Sequence, residues 1–273
     1  MTRITTLAGR KHSWGLLMLL SIMPFGLLQS QTSPPPLDGA TLNPKKVFLS
    51  VLSRIEVLPF RQRFAELGRF VDEVQQAIVK GNPSASQVRH RRRQLLLGLG
   101  LLFDTSDLLE ETALTRRTFA GLPTEKEKVR RRATCDMVFL NGRSDASKHF
   151  FLSAAITTLL GPALAERIGR NKESKDARRR ELDSSGQGFS FNDLAHDLAG
   201  IRYATHLLEG SDEACKTPPP PLSAFTPTFE GLNLPEGLEW TTFRAKYYGT
   251  QRSEYDKITR TIHAALDRAL KGE

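Results

Sequence analysis

The sequence predicts an all-α protein: a helical bundle with an irregular Pro-rich C-terminal segment. Three observations predict it. Apolar residues recur every three or four positions along most of residues 44–208 and again over 253–271, the period of helices with one buried face. Polarity nowhere alternates as in a half-buried strand, and no internal repeat is present. The composition, 273 residues of which 39% are hydrophobic and 25% charged, suits a globular chain of one or two domains. It is too apolar for a disordered tail, and two cysteines are too few for a disulfide scaffold.

Residues 1–11 carry Arg3, Arg10 and Lys11 and no acid, residues 14–28 (WGLLMLLSIMPFGLL) are uncharged and apolar, and QSQTSPPP follows. That order is expected of a secretory signal peptide, with cleavage after Ser30. A membrane span needs about 20 apolar residues, and this run is shorter and broken by Ser21, Pro24 and Gly26, so a permanent N-terminal membrane anchor is the alternative. No Cys follows the run to carry a lipid. A flexible leader is expected over 31–43.

From Pro44, Val47, Phe48, Val51, Leu52, Ile55 and Leu58 mark a helix that Pro59 breaks. A second follows through Phe64, Leu67, Phe70, Val74 and Ile78, ended by Gly81-Asn82-Pro83. A third begins near Ser86 and runs into the apolar stretch 95–103, where Gly98 and Gly100 each weaken a helix by about 1 kcal/mol against Ala, so either close packing needs them or the helix is poor. Residues 107–119 make a short helix candidate. These elements form an N-terminal helical region, 44–134. Residues 135–215 form a three-helix unit: 147–168, which Gly161-Pro162 should kink or divide; 162–183; and, after the turn at 184–188, a helix capped by Ser190 and reaching Leu208. Beyond it, 216–273 read as a Pro-rich loop, extended through 218–221 and 225–237, and a last amphipathic helix.

The formal net charge is +9, falling to +6 if the three basic residues of the leader are removed. The excess sits in runs at 89–93 (RHRRR), 126–132 (KEKVRRR) and 178–180. Solvated helix faces are the ordinary account of such runs. For an exported protein the counterpart they would meet is an anionic membrane surface or an acidic envelope glycan rather than nucleic acid. Export also leaves Cys135 and Cys215 free to pair; closing that loop would stabilise the fold by about 4.5 kcal/mol in the chain-entropy model, the alternative being two unrelated buried thiols.

One constellation looks chemical. His149 and Ser153 are four apart, Glu173 and Asp176 three apart, and Asp193 and Asp197 four apart, so each pair shares a helix face. If the helices pack as a short-loop bundle, one imidazole and up to four carboxylates converge, a set suited to a divalent cation or to acid–base work. His149 and Glu173 are the candidate catalytic residues, and Asp176, Asp193 and Asp197 the candidate metal ligands. Each has an ordinary explanation. Asp193 suits a helix N-terminus, Asp176 an ion pair with Arg179 or Arg180, Glu173 a charged surface and His149 a helix boundary. Asp197, between Leu194, Leu198 and Ile201, is hardest to dismiss. His196 and His206 fall off that face.

The series Lys148-His149-Phe150, Ser153-Ala154, Gly169, Lys172-Glu173, Asp176, Ser185-Gly186, Gly188-Phe189-Ser190, Asp193-Leu194-Ala195, Asp197 and Ala199-Gly200 resembles the YfiM-type lipoproteins of bacterial envelopes and, more distantly, the VanZ-like membrane proteins. The resemblance covers about residues 145–203. It implies a helical, envelope-associated unit in which His149, Glu173, Asp193 and Asp197 occupy the family's polar positions, and it implies no activity. The chain departs from the pattern in lacking a lipobox Cys and the several long spans of a membrane bundle, and in adding an N-terminal helical region and a Pro-rich tail. With no GxSxG or HExxH motif, the expected function is that of an exported, envelope-associated helical protein acting by binding. The alternative is a metal-dependent hydrolase or transferase acting on a phosphorylated lipid or glycan.

Overall fold

The computed structural model describes residues 37–105, 109, 123–248 and 252–272. The expected signal segment and the helix candidate at 107–119 lie outside the described residues, apart from Leu109. The elements are α1 (Pro44–Ile55), α2 (Phe60–Val79), α3 (Ala85–Phe103), α4 (Glu125–Cys135), α5 (Ser144–Leu160), α6 (Pro162–Asp183), α7 (Phe191–Leu208), the short α8 (Asp212–Cys215), α9 (Trp240–Tyr247) and α10 (Arg252–Lys271). Among the described residues there is no strand, only isolated bridges at Leu140–Arg143 and Phe189–Leu238. The fold is all-α, as the periodicity predicts.

Helix starts follow local chemistry. Asn43 caps α1 with Pro44 at its first turn, while Ser84 with Gln87 and Thr124 with Glu127 form reciprocal capping boxes on α3 and α4. Gly161, at φ 83°, ends α5 and precedes Pro162 of α6, so the apolar stretch divides there rather than kinks. Helix α4 had no apolar stripe to announce it, and its capping box was its only signal. Helix α9 was hidden in the segment read as loop.

Three glycines set how closely the central helices cross. A Cβ on Gly98 would sit 2.5 Å from Val47 Cβ of α1, one on Gly100 2.2 Å from Ala155 Cβ of α5, and one on Gly200 of α7 2.0 Å from the Phe150 carbonyl oxygen of α5. The glycines of the 95–103 run are therefore there for packing. Helix α5 is wedged between α3 and α7, and a chain of ring contacts runs through the resulting core, Phe103 stacked on Phe151, Phe151 edge-on to Phe150 and Phe150 tilted against Tyr203. The residues on either side, Pro34–Glu273, form one compact unit.

Three expectations change here. The leader is docked from Leu37 on: Asp38 caps a 3-10 turn over Gly39–Thr41, and Gly39 packs so close to α2 that a Cβ would lie 2.6 Å from the Ala77 carbonyl oxygen. The basic runs are partly spent inside. Arg92 is buried and donates to Gln75, to the Leu207 carbonyl near the end of α7 and to the Thr217 carbonyl, and buried Arg131 donates to the Leu101 carbonyl near the end of α3, helix ends that want cationic donors. Cys135 and Cys215 are separate buried thiols. Cys135 lies against the Leu102 carbonyl, whereas Cys215 lies against that of Gly210, which also accepts from Arg89. Arg89 and Leu102, through which the two thiols are tied to α3, lie about 20 Å apart along that helix at 1.5 Å per residue. The 216–239 segment is irregular as expected, yet anchored: Phe225 packs on Tyr203 and Phe229 on His196.

Candidate functional site

The site is built where α5, α6 and the N-terminus of α7 meet. Ser190 caps α7 by accepting from the Asp193 N–H at 3.0 Å, which turns the first-turn Asp193 side chain toward α5. Capping and site geometry are thus the same arrangement. Before α5, Asn141 and Gly142, both at positive φ, make the two-residue turn that pairs Leu140 with Arg143. The turn swings Arg143 back over the site, where it donates to Asp145 and, at 2.7 Å, to Asp193 Oδ1.

His149 sits at the centre. Its Nδ1 lies 2.9 Å from Asp197 Oδ1 and its Nε2 3.3 Å from Asp193 Oδ2. Asp197 Oδ1 also accepts from the Ser153 hydroxyl at 2.7 Å. Glu173 is 1% exposed and accepts from the Ser190 N–H at 3.1 Å and from Lys172 Nζ at 2.8 Å. The Lys172 ammonium stands among all of them: 3.2 Å from His149 Nε2, 3.2 Å from Asp176 Oδ2 and 3.9 Å from Asp193 Oδ2. Gly169 gives α6 room to approach, since a Cβ there would be 2.6 Å from Asp197 Oδ2. That Oδ2 is buried and has no hydrogen-bond partner.

The electrostatics follow from this crowding. Burial works against a charged imidazole, but the Asp197 and Asp193 carboxylates outweigh it and push His149 up to about 10, so both ring nitrogens donate at neutral pH. Burial also opposes ionisation of Asp193, yet His149, Lys172 and Arg143 hold its carboxyl well below the usual carboxylate range. Glu173 goes the other way: burial first, then the Asp193 charge, raise it to about 7, against the pull of Lys172. Two neighbouring acids with opposite shifts are the arrangement in which one stays ionised while the other carries a proton near neutrality.

The structure therefore brings together four of the five predicted site residues, and it sorts them. One ligand atom each from His149, Glu173 and Asp193 lie within 4.8 Å of one another, an N/O donor set that fits a divalent cation only once His149 Nε2 and Glu173 have given up their protons. The Lys172 ammonium already occupies a cationic position beside these atoms, so a metal ion would take the place of that charge. Asp197 stands outside that three-residue group: its Oδ1 meets His149 Nδ1 and leaves Nε2 facing the cluster, the placement of a carboxylate behind a metal-binding histidine. Asp176 stands at the rim, tied in through Lys172 and Arg179. His196, with Nδ1 at the Asn192 carbonyl and its ring edge-on to Phe229, is a core histidine. Lys172 entered the sequence reading only beside Glu173, and Arg143 not at all. The Asn-Gly turn before a helix was the one signal pointing to Arg143.

A cleft of about 280 Å³ opens beside the cluster. Leu152 and Ile156 of α5 and Ile168 of α6 form an apolar wall, and His149, Lys172 and Asp197 form its polar floor. Comparison with protein-family models, with curated proteins and with solved structures finds no match.

Proposed function

We propose that the chain is an exported, envelope-associated helical protein that acts by binding, with the His149 cleft as its ligand site. The observation that carries this is the pairing, in one cleft, of an apolar wall with a charged floor that holds a buried, unpartnered carboxylate oxygen on Asp197. Such a site suits an amphiphile whose polar head supplies a donor or a cation to the floor while its chain lies on the wall. Leu152, Ile156 and Leu160 recur at four-residue spacing along α5, as do Leu164 and Ile168 along α6, and Leu160 and Leu164 are exposed, which supports a membrane surface as partner. The basic, apolar, Pro-rich order of residues 1–36 supports export, and the likeness of residues 145–203 to YfiM-type lipoproteins supports an envelope location. Among the described residues no helix is long and apolar enough to cross a membrane, so the proposed association is peripheral or through the leader.

The test has two arms. In a bacterial host the full chain should leave the cytoplasm and lose residues 1–30; retention with the leader intact would reject export. The purified protein should cosediment with vesicles of anionic phospholipid, and Leu164→Glu should reduce the bound fraction at least fivefold. An unchanged fraction would reject the exposed apolar residues of α5 and α6 as the lipid-facing surface.

A second reading is favoured by the His149, Glu173 and Asp193 triad: a metal-dependent hydrolase or transferase acting on a phosphorylated lipid or glycan. Glu173, raised to about 7, would carry the proton, and a divalent cation would polarise the phosphoryl group. Phosphate release from a lipid phosphate in the presence of Mn²⁺, abolished by Glu173→Gln, supports it. Absence of release across divalent metals rejects it.

A further inference from the structure

A second groove, of about 450 Å³, lies between α6 and the C-terminal helices α9 and α10. It shares no residue with the His149 cleft. Helix α6 contributes Arg170 and Arg178, α10 begins with Arg252, and Trp240, Tyr247 and Tyr248 supply the aromatic wall. The residues lining it carry three guanidinium groups and no carboxylate.

Two features set this groove apart from an ordinary basic surface. Arg178 is stacked on Trp240 with its Cζ 4.2 Å from the ring centroid, which fixes the plane of the guanidinium and leaves its N–H edge to meet an anion bidentately. Among the described residues, neither Arg170 nor Arg178 has a carboxylate within ion-pair distance, and Arg252 reaches Asp256 only at 3.8 Å. The acids on the groove's own helices, Glu166 of α6 and Glu254 of α10, raise Tyr255 and Tyr247 respectively, and Arg170 pulls Tyr255 the other way. The aromatic wall is rigid: Trp240 leans on Phe243, which stacks on Phe189, and Tyr247 packs edge-on to Phe191. Tyr248, 59% exposed, offers an open ring within 6.1 Å of Trp240.

We propose that this groove binds an acidic oligosaccharide, the Arg178 and Arg170 guanidinium groups taking its carboxylates and the Tyr248 ring receiving the apolar face of a sugar. The charge of the lining selects an anion, and the exposed ring beside fixed cations selects one with a flat, partly apolar face. A phosphate ion would use the arginines and leave the aromatic wall idle.

The test uses the only tryptophan besides Trp240, which is Trp14. In the full chain carrying Trp14→Phe, Trp240 alone reports at 295 nm excitation. Trigalacturonate should change its emission saturably, while maltotriose, of the same size but neutral, should not. By calorimetry Arg170→Ala and Tyr248→Ala should each weaken trigalacturonate binding at least tenfold, with the melting temperature unchanged. The proposal is overturned if maltotriose binds as well, if inorganic phosphate alone binds as tightly, if adenosine monophosphate binds more tightly than the sugar acid, or if none of the probes binds. The His149 cleft is untouched by these variants, so failure here leaves its reading standing, and the reverse holds as well.

Discussion

Replacing Asp197 by Asn is the sharpest perturbation of the site. Asp197 Oδ1 accepts from His149 Nδ1 at 2.9 Å and from Ser153 at 2.7 Å, and its side chain is 4% exposed, so its charge is felt with little solvent screening. The rise of His149 from 6.5 to about 10 is the summed effect of Asp197 and Asp193 net of burial, worth about 5 kcal/mol at 1.36 kcal/mol per unit. Asp193 is the more distant acid at 3.3 Å and is shared with Arg143, so Asp197 carries the larger part. Asp197→Asn should therefore lower the His149 pKa by at least about two units and cost about 3 kcal/mol at neutral pH, the usual range for removing one partner of a buried pair. The sign of the pH dependence is fixed. A raised folded-state pKa stabilises fully below the unfolded value and fades as pH climbs through the folded one, so wild-type stability should decline between pH 6.5 and 10, and the variant should show a smaller decline that ends at lower pH. Proton NMR of the His Cε1 resonances, with His149→Gln for assignment, reads the pKa, and urea unfolding at pH 6, 8 and 10 reads the stability. A wild-type His149 titrating near 6.5, or one indifferent to Asp197→Asn, would refute the electrostatic picture.

Three further outcomes are expected. Lys172→Met removes the ammonium that shares the site with the candidate metal ligands, and should tighten Mn²⁺ binding at least tenfold; unchanged affinity would mean that Lys172 does not compete for the site. Gly200→Ala drives a methyl into the Phe150 carbonyl oxygen, which a Cβ would approach to 2.0 Å. It should lose about 3 kcal/mol or more in urea unfolding despite the roughly 1 kcal/mol that Ala gains as a helix former, and a neutral result would mean α5 and α7 separate freely. Cys135, whose thiol burial pushes up to about 12, and Cys215 should both resist a thiol reagent in the native protein and both react after denaturation, with the melting temperature indifferent to reductant; a single reactive thiol count of zero in denaturant would show a disulfide instead.

The helices were legible because their apolar stripes are regular: α2, α6 and α7 lie close to where their periodicity and punctuation place them. Helix α4 was not, since its sequence, EKEKVRRRATC, has almost no apolar face and is held by Arg131 reaching a neighbouring helix end. The glycines of α3 were legible as an anomaly, and only the crossing with Val47 and Ala155 gives the reason. In the site, the spacing of His149, Asp193 and Asp197 carried real information, because helix geometry alone puts such pairs on one face. Spacing could not rank them: which carboxylate faces Nε2 and which orients Nδ1 depends on how α7 rotates against α5, and that is fixed by the contact at Gly200. Lys172 and Arg143 escaped because a single cation has no pattern until the fold places acids around it.

The proposed cation site, where three helices bring His149, Glu173 and Asp193 together, is tested most directly by titrating the full-length protein with Mn²⁺ and following the free ion by electron paramagnetic resonance. One ion should be taken up per chain, with Asp193→Asn abolishing uptake while circular dichroism stays helical. A chain that leaves Mn²⁺ free throughout, or one that takes it up equally well without the Asp193 carboxylate, would contradict the account.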